Sequence, residues 1–126
     1  MKALNIIESA YRATIEEQDD TIVWIHGAMK GAGADLTVLL RGNAVNYALP
    51  GQDAAGLAFG DWQQTEPPRI DNDIAALIAK GVAVYALDDD LALRGLEGAT
   101  LIAGVQRARG DALAGLLAGY GAVWQW

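Results

Sequence analysis

The stretch IAALIAKGVAVYALDDD, residues 74–90, decides the fold because it changes from a helical pattern to a strand pattern within a few residues. The apolar residues of 74–78 recur at helical spacing, and residues 71–73, Asp-Asn-Asp, predict the N-cap of that helix. Gly81 predicts where the helix stops. Residues 82–87 then form a near-continuous apolar run, which is typical of a strand covered on both faces in a parallel sheet.

Three further apolar runs, residues 4–7, 36–40 and 122–126, have the same strand character. Residues 107–118 have helical spacing and are followed by Gly119, so they predict the last helix. The predicted order is β-α-β-α-loop-α-β-α-β-α-β. We therefore expect one α/β domain spanning the whole chain, a three-layer α/β/α sandwich with a mainly parallel five-stranded sheet.

Two segments have weaker sequence signals for a helix or a strand. Residues 21–30 are either a helix that leads into the strand at 36–40 or the first arm of a hairpin with that strand, and we favour the helix. Residues 51–69 are rich in glycine and proline and predict a long loop with a short turn of helix. The glycine-rich residues 27–33 lack the endings of a phosphate loop and of a dinucleotide-binding turn, so we expect no cofactor.

Composition excludes several functions. The 126 residues carry a formal net charge of −7 and no basic cluster, which argues against binding to nucleic acid. Cysteine is absent, so the chain cannot form disulfides, provide a thiolate nucleophile or carry a persulfide. No apolar run approaches the ~20 residues that span a bilayer, and the amino terminus lacks the apolar core of a signal peptide. We therefore expect a cytoplasmic protein.

Three carboxylates, Asp88, Asp89 and Asp90, directly follow the strand at 82–87. Ligands of open α/β sheets bind outside the carboxyl ends of the strands, where Tyr11 and Asn43 are also expected. These residues predict a pocket for a small ligand or a divalent cation. The other interpretation is that one aspartate caps the next helix and the others favour its dipole. Acid–base catalysis by these carboxylates is a third interpretation, but no second catalytic group stands at a defined spacing.

Large aromatic residues are candidates for a subunit interface. Trp24, Phe59 and Trp62 lie outside the predicted strands, and tryptophan is enriched where subunits meet. Core packing is the alternative for each of them. His26 is the only histidine, and we interpret it as a packed side chain rather than a catalytic base.

Two stretches resemble the DsrE/DsrF-like sulfur-relay family, which includes the TusB, TusC and TusD subunits. Residues 34–45, ADLTVLLRGNAV, are similar to the second strand of the family and its following turn. Residues 77–96 are similar to the Gly-Val-x-Val strand, the active loop and the Arg-Gly turn. Residues 100–105 are similar to the short fourth strand, so the resemblance extends over nearly the whole chain and implies the same α/β fold.

The resemblance also implies what this chain cannot do. Sulfur-carrying members have a cysteine at the end of the third long strand, at the position of Leu87, and some have a second at the position of Asp90. Leu87 therefore joins the candidate pocket, but neither residue can accept sulfur. The resemblance implies a non-catalytic structural or interaction subunit, either a homo-oligomer (trimer or hexamer) or the partner of a cysteine-bearing DsrE-like subunit.

Overall fold

A computed structural model describes residues 1–12, 21–52 and 55–126. Helices and strands alternate along these ranges, as expected for an α/β protein. In chain order the elements are β1 (Ala3–Ile7), α1 (Thr21–Gly31), β2 (Leu36–Leu40), a first 3-10 helix (Gly42–Ala48), β3 (Ala58–Phe59), β4 (Trp62–Gln63), α2 (Ile70–Ala79), β5 (Ala83–Leu87), α3 (Asp88–Leu93), β6 (Gln106–Ala108), a second 3-10 helix (Gly110–Ala112), α4 (Leu113–Ala118) and β7 (Ala122–Gln125).

Five strands form one sheet with the order β6-β5-β2-β1-β7, and every neighbouring pair is parallel. β1 and β2 lie at the centre, and all of their residues are buried. Val38 of β2 pairs with Asn5 of β1 on one side and with Val84 of β5 on the other. β6 and β7 form the two edges of the sheet. The parallel sheet predicted from the continuous apolar runs is therefore confirmed.

Helices lie on both faces of the sheet, which gives the expected three layers. The larger core packs one face against α1, α2 and the first 3-10 helix, with Val23, Tyr47 and Ile74 among its buried residues. The smaller core packs Leu4, Ile6 and Leu39 on the other face against α4. No helix within the described ranges is long and apolar enough to cross a membrane.

The main predicted elements are confirmed. The strands predicted at 4–7, 36–40, 82–87 and 122–126 are present, with ends that differ by at most one residue. Residues 21–30 lie in a helix, so the hairpin alternative for this segment is wrong.

The predicted N-cap of α2 is wrong. The helix begins at Ile70, and the cap position is Arg69, which makes no side-chain cap bond. Residues 71–73 therefore lie inside the first turn, where carboxylates still favour the helix dipole. The Asp71 carboxylate instead accepts the N–H of Gly51 at 3.0 Å, so it ties the preceding loop to the helix.

The predicted last helix at 107–118 is too long, and the fourth strand implied for 100–105 is misplaced. β6 occupies Gln106–Ala108, and only Leu113–Ala118 form α4. Residues 100–105 form no strand, and they contain a turn at 103–104, where Gly104 adopts a φ of 94° that a strand does not allow. β6 instead gains parallel pairing with β5.

The loop at 51–69 contains an antiparallel hairpin, β3 and β4, where a turn of helix was predicted. Residues 53–54 of this loop lie outside the described residues. Gly60 begins the two-residue turn with a φ of 57°, and glycine at that position is typical of the hairpin turns whose twist matches the strands.

Candidate functional site

The carboxyl end of β5 leads into α3 without a loop. Leu87 ends the strand and occupies the N-cap position, and Asp88, Asp89 and Asp90 form the first turn of the helix. None of the three carboxylates makes the predicted cap bond, because their partners lie in other segments. The Leu87 side chain is only 5% exposed.

Asp90 joins the end of β5 to the end of β2. Its carboxylate accepts the N–H of Gly42 at 2.6 Å, which is a short, charge-assisted hydrogen bond. Arg94 reinforces this contact, because its guanidinium donates to the Asp90 carbonyl at 3.0 Å and to the Asn43 side-chain oxygen at 2.8 Å. Asn43 and Asp90 are therefore brought together as predicted, but through an arginine that the sequence did not single out.

Asp88 and Asp89 point toward the β6 side of the sheet. Asp88 forms an ion pair with Arg107 at 2.8 Å, and the same guanidinium donates to the Ala99 carbonyl at 2.9 Å. Asp89 accepts the N–H of Gly110 at 3.1 Å. The three aspartates thus hold α3 to three different segments and do not converge on one point.

Of the six predicted pocket residues, Asp88 and Asp89 line the same cavity. An open cavity of about 580 Å³ lies beside Asp88, Asp89 and Arg107, but it includes neither Tyr11 nor Asn43. Within the described ranges, no group of three or more histidine or carboxylate side chains is arranged to hold a metal ion. A divalent cation needs several oxygen ligands around one centre, so this arrangement does not provide that coordination.

Tyr11 lies beyond the end of β1, in a second polar cluster. Its backbone has a φ of 57°, which is uncommon for a residue other than glycine, and its N–H donates to the Tyr47 hydroxyl. The two rings meet edge to face at 5.1 Å, and the Tyr11 hydroxyl donates to Gln52 at 2.5 Å. Tyr47, which is fully buried, was not identified from the sequence, because a tyrosine in an apolar segment has no distinctive spacing.

Burial raises the pKa of the Tyr11 phenol above its ordinary value. The phenol therefore stays neutral in the folded protein at a pH where the unfolded chain has begun to ionise, and its stabilising contribution is lost as the pH rises above about 10. We expect Tyr11→Phe to remove one phenolate transition that lies above the ordinary tyrosine pKa in an alkaline titration. Loss of a transition at the ordinary tyrosine pKa instead would contradict the assignment.

The candidate interface residues are exposed. Phe59 and Trp62 are 69% and 54% exposed, and their rings stack on the hairpin with centroids 6.0 Å apart. Trp24, also exposed, borders a groove between α1 and α2. Val123 and Trp124 on β7 are exposed as well, and the edge position of their strand cannot be read from sequence.

His26 is fully buried between α1 and the sheet. Its Nδ1 atom lies 2.5 Å from the Ile22 carbonyl, and its ring meets the Trp126 ring edge to face at 5.7 Å. A side chain enclosed in this way is inaccessible to a substrate, as the packed interpretation expects.

Similar folds occur among solved structures. The ychN protein from E. coli superimposes with a TM-score of 0.73 and 19% sequence identity, over 100% of both chains. The chain has a DsrE/ychN-like fold. A conserved protein of unknown function from Bacteroides thetaiotaomicron also superimposes, with a TM-score of 0.62 and 15% identity over 98% of this chain and 94% of the other. No protein-family profile and no curated protein matches the chain.

Proposed function

We propose that this chain is a non-catalytic interaction subunit, linked to intracellular sulfur metabolism, that works by assembling with further copies of itself. The observation that supports this most directly is the stacked, exposed pair of Phe59 and Trp62 on a hairpin whose strand residues are all exposed. At the strand end where DsrE-like sulfur carriers have a cysteine, this chain has the buried Leu87. The exposed aromatic pair therefore favours assembly as the function of this chain.

The hairpin is expected to have little stability of its own in a monomer. A two-stranded hairpin is marginal in water without packing, and here each strand has two residues, all of them exposed. Fully burying an aromatic side chain of this size is worth roughly 1.5–3 kcal/mol relative to leaving it exposed. Association that covers both rings would recover part of this free energy and hold the hairpin in place.

The link to sulfur metabolism rests on the resemblance to sulfur-relay proteins. Because no residue of the chain is a cysteine, any persulfide must be carried by another protein. In that setting the chain would support a cysteine-bearing DsrE-like subunit, while the carboxylates at 88–90, which cannot accept sulfane sulfur, hold the fold together.

Light scattering coupled to size-exclusion chromatography tests the assembly. We expect a discrete trimer or hexamer of the 13.3 kDa chain. The double variant Phe59→Ser/Trp62→Ser should weaken assembly by at least about tenfold in dissociation constant, because aromatic residues dominate interface energies. Leu93→Ser, on a side chain that is also highly exposed, is the matched control and should leave the mass unchanged.

A wild-type mass of one chain at every protein concentration would contradict self-assembly. Calorimetric titration against a cysteine-bearing DsrE-like subunit would then decide whether the chain associates with such a partner instead. If neither association occurs, the proposed function is wrong.

A further inference from the structure

The outer edge of β7 has backbone groups that the fold leaves available. β7 pairs with β1 on one side, and no strand within residues 1–12, 21–52 and 55–126 pairs with its other side. Trp126 donates its N–H to the Ile6 carbonyl at 2.9 Å and accepts the N–H of Glu8 at 3.0 Å. Since alternate residues of a parallel strand bond to the same neighbour, Val123 and Gln125 direct their N–H and C=O groups outward.

This edge lacks the features that usually prevent strand addition. Protected edges carry charged residues, proline or a bulge, or are covered by another element. Residues 121–126 contain no charged residue and no proline, and Val123 and Trp124 are 45% and 44% exposed. The opposite edge differs, because β6 carries Arg107, which is held in an ion pair with Asp88. Of the two edges of the five-stranded sheet in the described residues, the β7 edge is therefore the one without charge or proline.

We infer that β7 pairs with β7 of a second copy, antiparallel and about a two-fold axis, so that two sheets become one continuous sheet. This inference deepens the proposed function, on which it rests, by identifying one surface through which copies meet. It uses neither the hairpin nor the carboxyl ends of the strands.

The outward groups fix the register of this pairing. When Val123 of one copy lies opposite Gln125 of the other, both residues of each copy form hydrogen-bonded pairs. Pairing does not extend to Gly121, because its N–H already donates to the Lys2 carbonyl. The two copies of Trp124 then face each other at the non-hydrogen-bonded position on the two-fold axis, about 4.5 Å apart at Cα, where aromatic cross-strand pairs stabilise a sheet.

The distribution of charge favours a second copy of the chain as the partner that pairs with the β7 edge. In a chain of net charge −7, copies meet with least repulsion at a segment without charge. The two ends of the edge carry opposite charges: the Lys2 ammonium lies over the Tyr120 ring at one end, and Glu8, which contacts Gln125 and Arg41, lies at the other. Antiparallel pairing places Lys2 of each copy at the end where Glu8 of the other copy lies, so each end of the joined sheet carries unlike charges and no like pair meets across the contact.

The contact is expected to act together with another one. A strand of four residues offers too little surface for a stable dimer alone, since stable interfaces bury more than ~1,000 Å². A two-fold contact joins two copies, whereas a head-to-tail contact closes rings. If the hairpin closes a trimer, the β7 edge would join two trimers into a hexamer.

Val123→Pro tests the pairing. Proline removes the outward N–H of residue 123 but leaves the inward bonds to β1 intact, and edge strands tolerate proline at such positions. We expect the mass measured by light scattering to fall by half relative to the wild type, with unchanged far-ultraviolet circular dichroism. Val123→Lys, which places a charge on the edge, should have the same effect if the proline variant is poorly folded. Leu93→Lys is the control and should keep the full mass.

Cross-linking tests the register. Because the chain has no cysteine, Trp124→Cys introduces a single thiol per copy, and these thiols face each other across the two-fold axis in the inferred register. We expect a covalent dimer on oxidation, whereas Leu93→Cys should remain uncross-linked under the same conditions. If the wild type is an oligomer whose mass Val123→Pro and Val123→Lys leave unchanged, and Trp124→Cys does not cross-link, the edge pairing is wrong and the proposed assembly stands. If the wild type is a monomer and Trp124→Cys does not cross-link, both the edge pairing and the proposed self-assembly are wrong.

Discussion

The Leu91→Ala variant is expected to unfold about 10 °C below the wild type, whereas Leu93→Ala should remain within about 2 °C of it. The two leucines lie two positions apart on α3, a helix of six residues. Leu91 is fully buried in the larger core, and Leu93 is 81% exposed. Because the substitution is the same at both positions, the difference between the two melting temperatures measures the effect of burial.

The expected difference follows from the cavity that the truncation leaves. Replacing a buried leucine by alanine costs about 2–5 kcal/mol, while an exposed substitution usually changes stability by less than about 0.5 kcal/mol. Leu91 is the only buried residue of α3, and its carbonyl also accepts the N–H groups of Arg94 and Leu96 in the turn that follows. Thermal unfolding followed by circular dichroism measures both variants.

The same two variants also test how the contact between Asp90 and Gly42 is held, with amide hydrogen exchange as the measurement. If Leu91 anchors α3, its loss should also loosen the contact between Asp90 and Gly42, and amide exchange at Gly42 should become faster in Leu91→Ala. Equal melting temperatures for the two alanine variants would contradict the burial assigned to Leu91. Faster exchange at Gly42 in Leu93→Ala would contradict the role of Leu91 as the anchor.

The central strands were predictable because each is buried on both faces, which leaves a continuous apolar run in the sequence. β6 was not, because an edge strand of three residues with the sequence Gln-Arg-Ala has no such run. It forms because the neighbouring β5 offers pairing and because Arg107 meets Asp88. Tertiary contacts, rather than local propensity, decide this strand.

The candidate site was predictable in position but not in geometry. Three aspartates at a strand end were visible in the sequence, yet their partners come from distant segments: Gly42 lies 48 residues from Asp90, and Gly110 lies 21 residues from Asp89. Backbone N–H groups carry no sequence signal, so a cluster of carboxylates was interpreted as a possible ligand site. The structure instead shows Asp89 and Asp90 accepting backbone N–H groups and Asp88 paired with the Arg107 side chain.

The Leu87→Cys variant is expected to have a thiol that reacts at least about tenfold more slowly than the thiol of Leu93→Cys, since a rise of one pKa unit lowers the thiolate fraction about tenfold. The two substitutions place the only cysteine of the chain at a buried strand end and at an exposed helix end. A disulfide reagent such as Ellman's reagent measures both rates at neutral pH.

Two effects oppose each other at position 87, and their sizes determine the expected result. The N-terminus of α3 favours a thiolate at its cap position by about 0.3–1 kcal/mol. Burial disfavours the thiolate and also blocks the reagent, and the first turn of α3 already contains the carboxylates of Asp88, Asp89 and Asp90. Burial and like charge should therefore outweigh the helix terminus, so that a cysteine at position 87 alone does not make a reactive thiol.

Equal reaction rates for the two thiols would contradict this reasoning. They would show that the strand end opens readily and that a cysteine at position 87 can react like an exposed thiol. A slow rate in Leu87→Cys, with the melting temperature confirming a folded protein, would instead mean that the strand end does not provide the environment a reactive thiol needs. The proposed non-catalytic role would then rest on the packing and charge around position 87 as well as on the leucine itself.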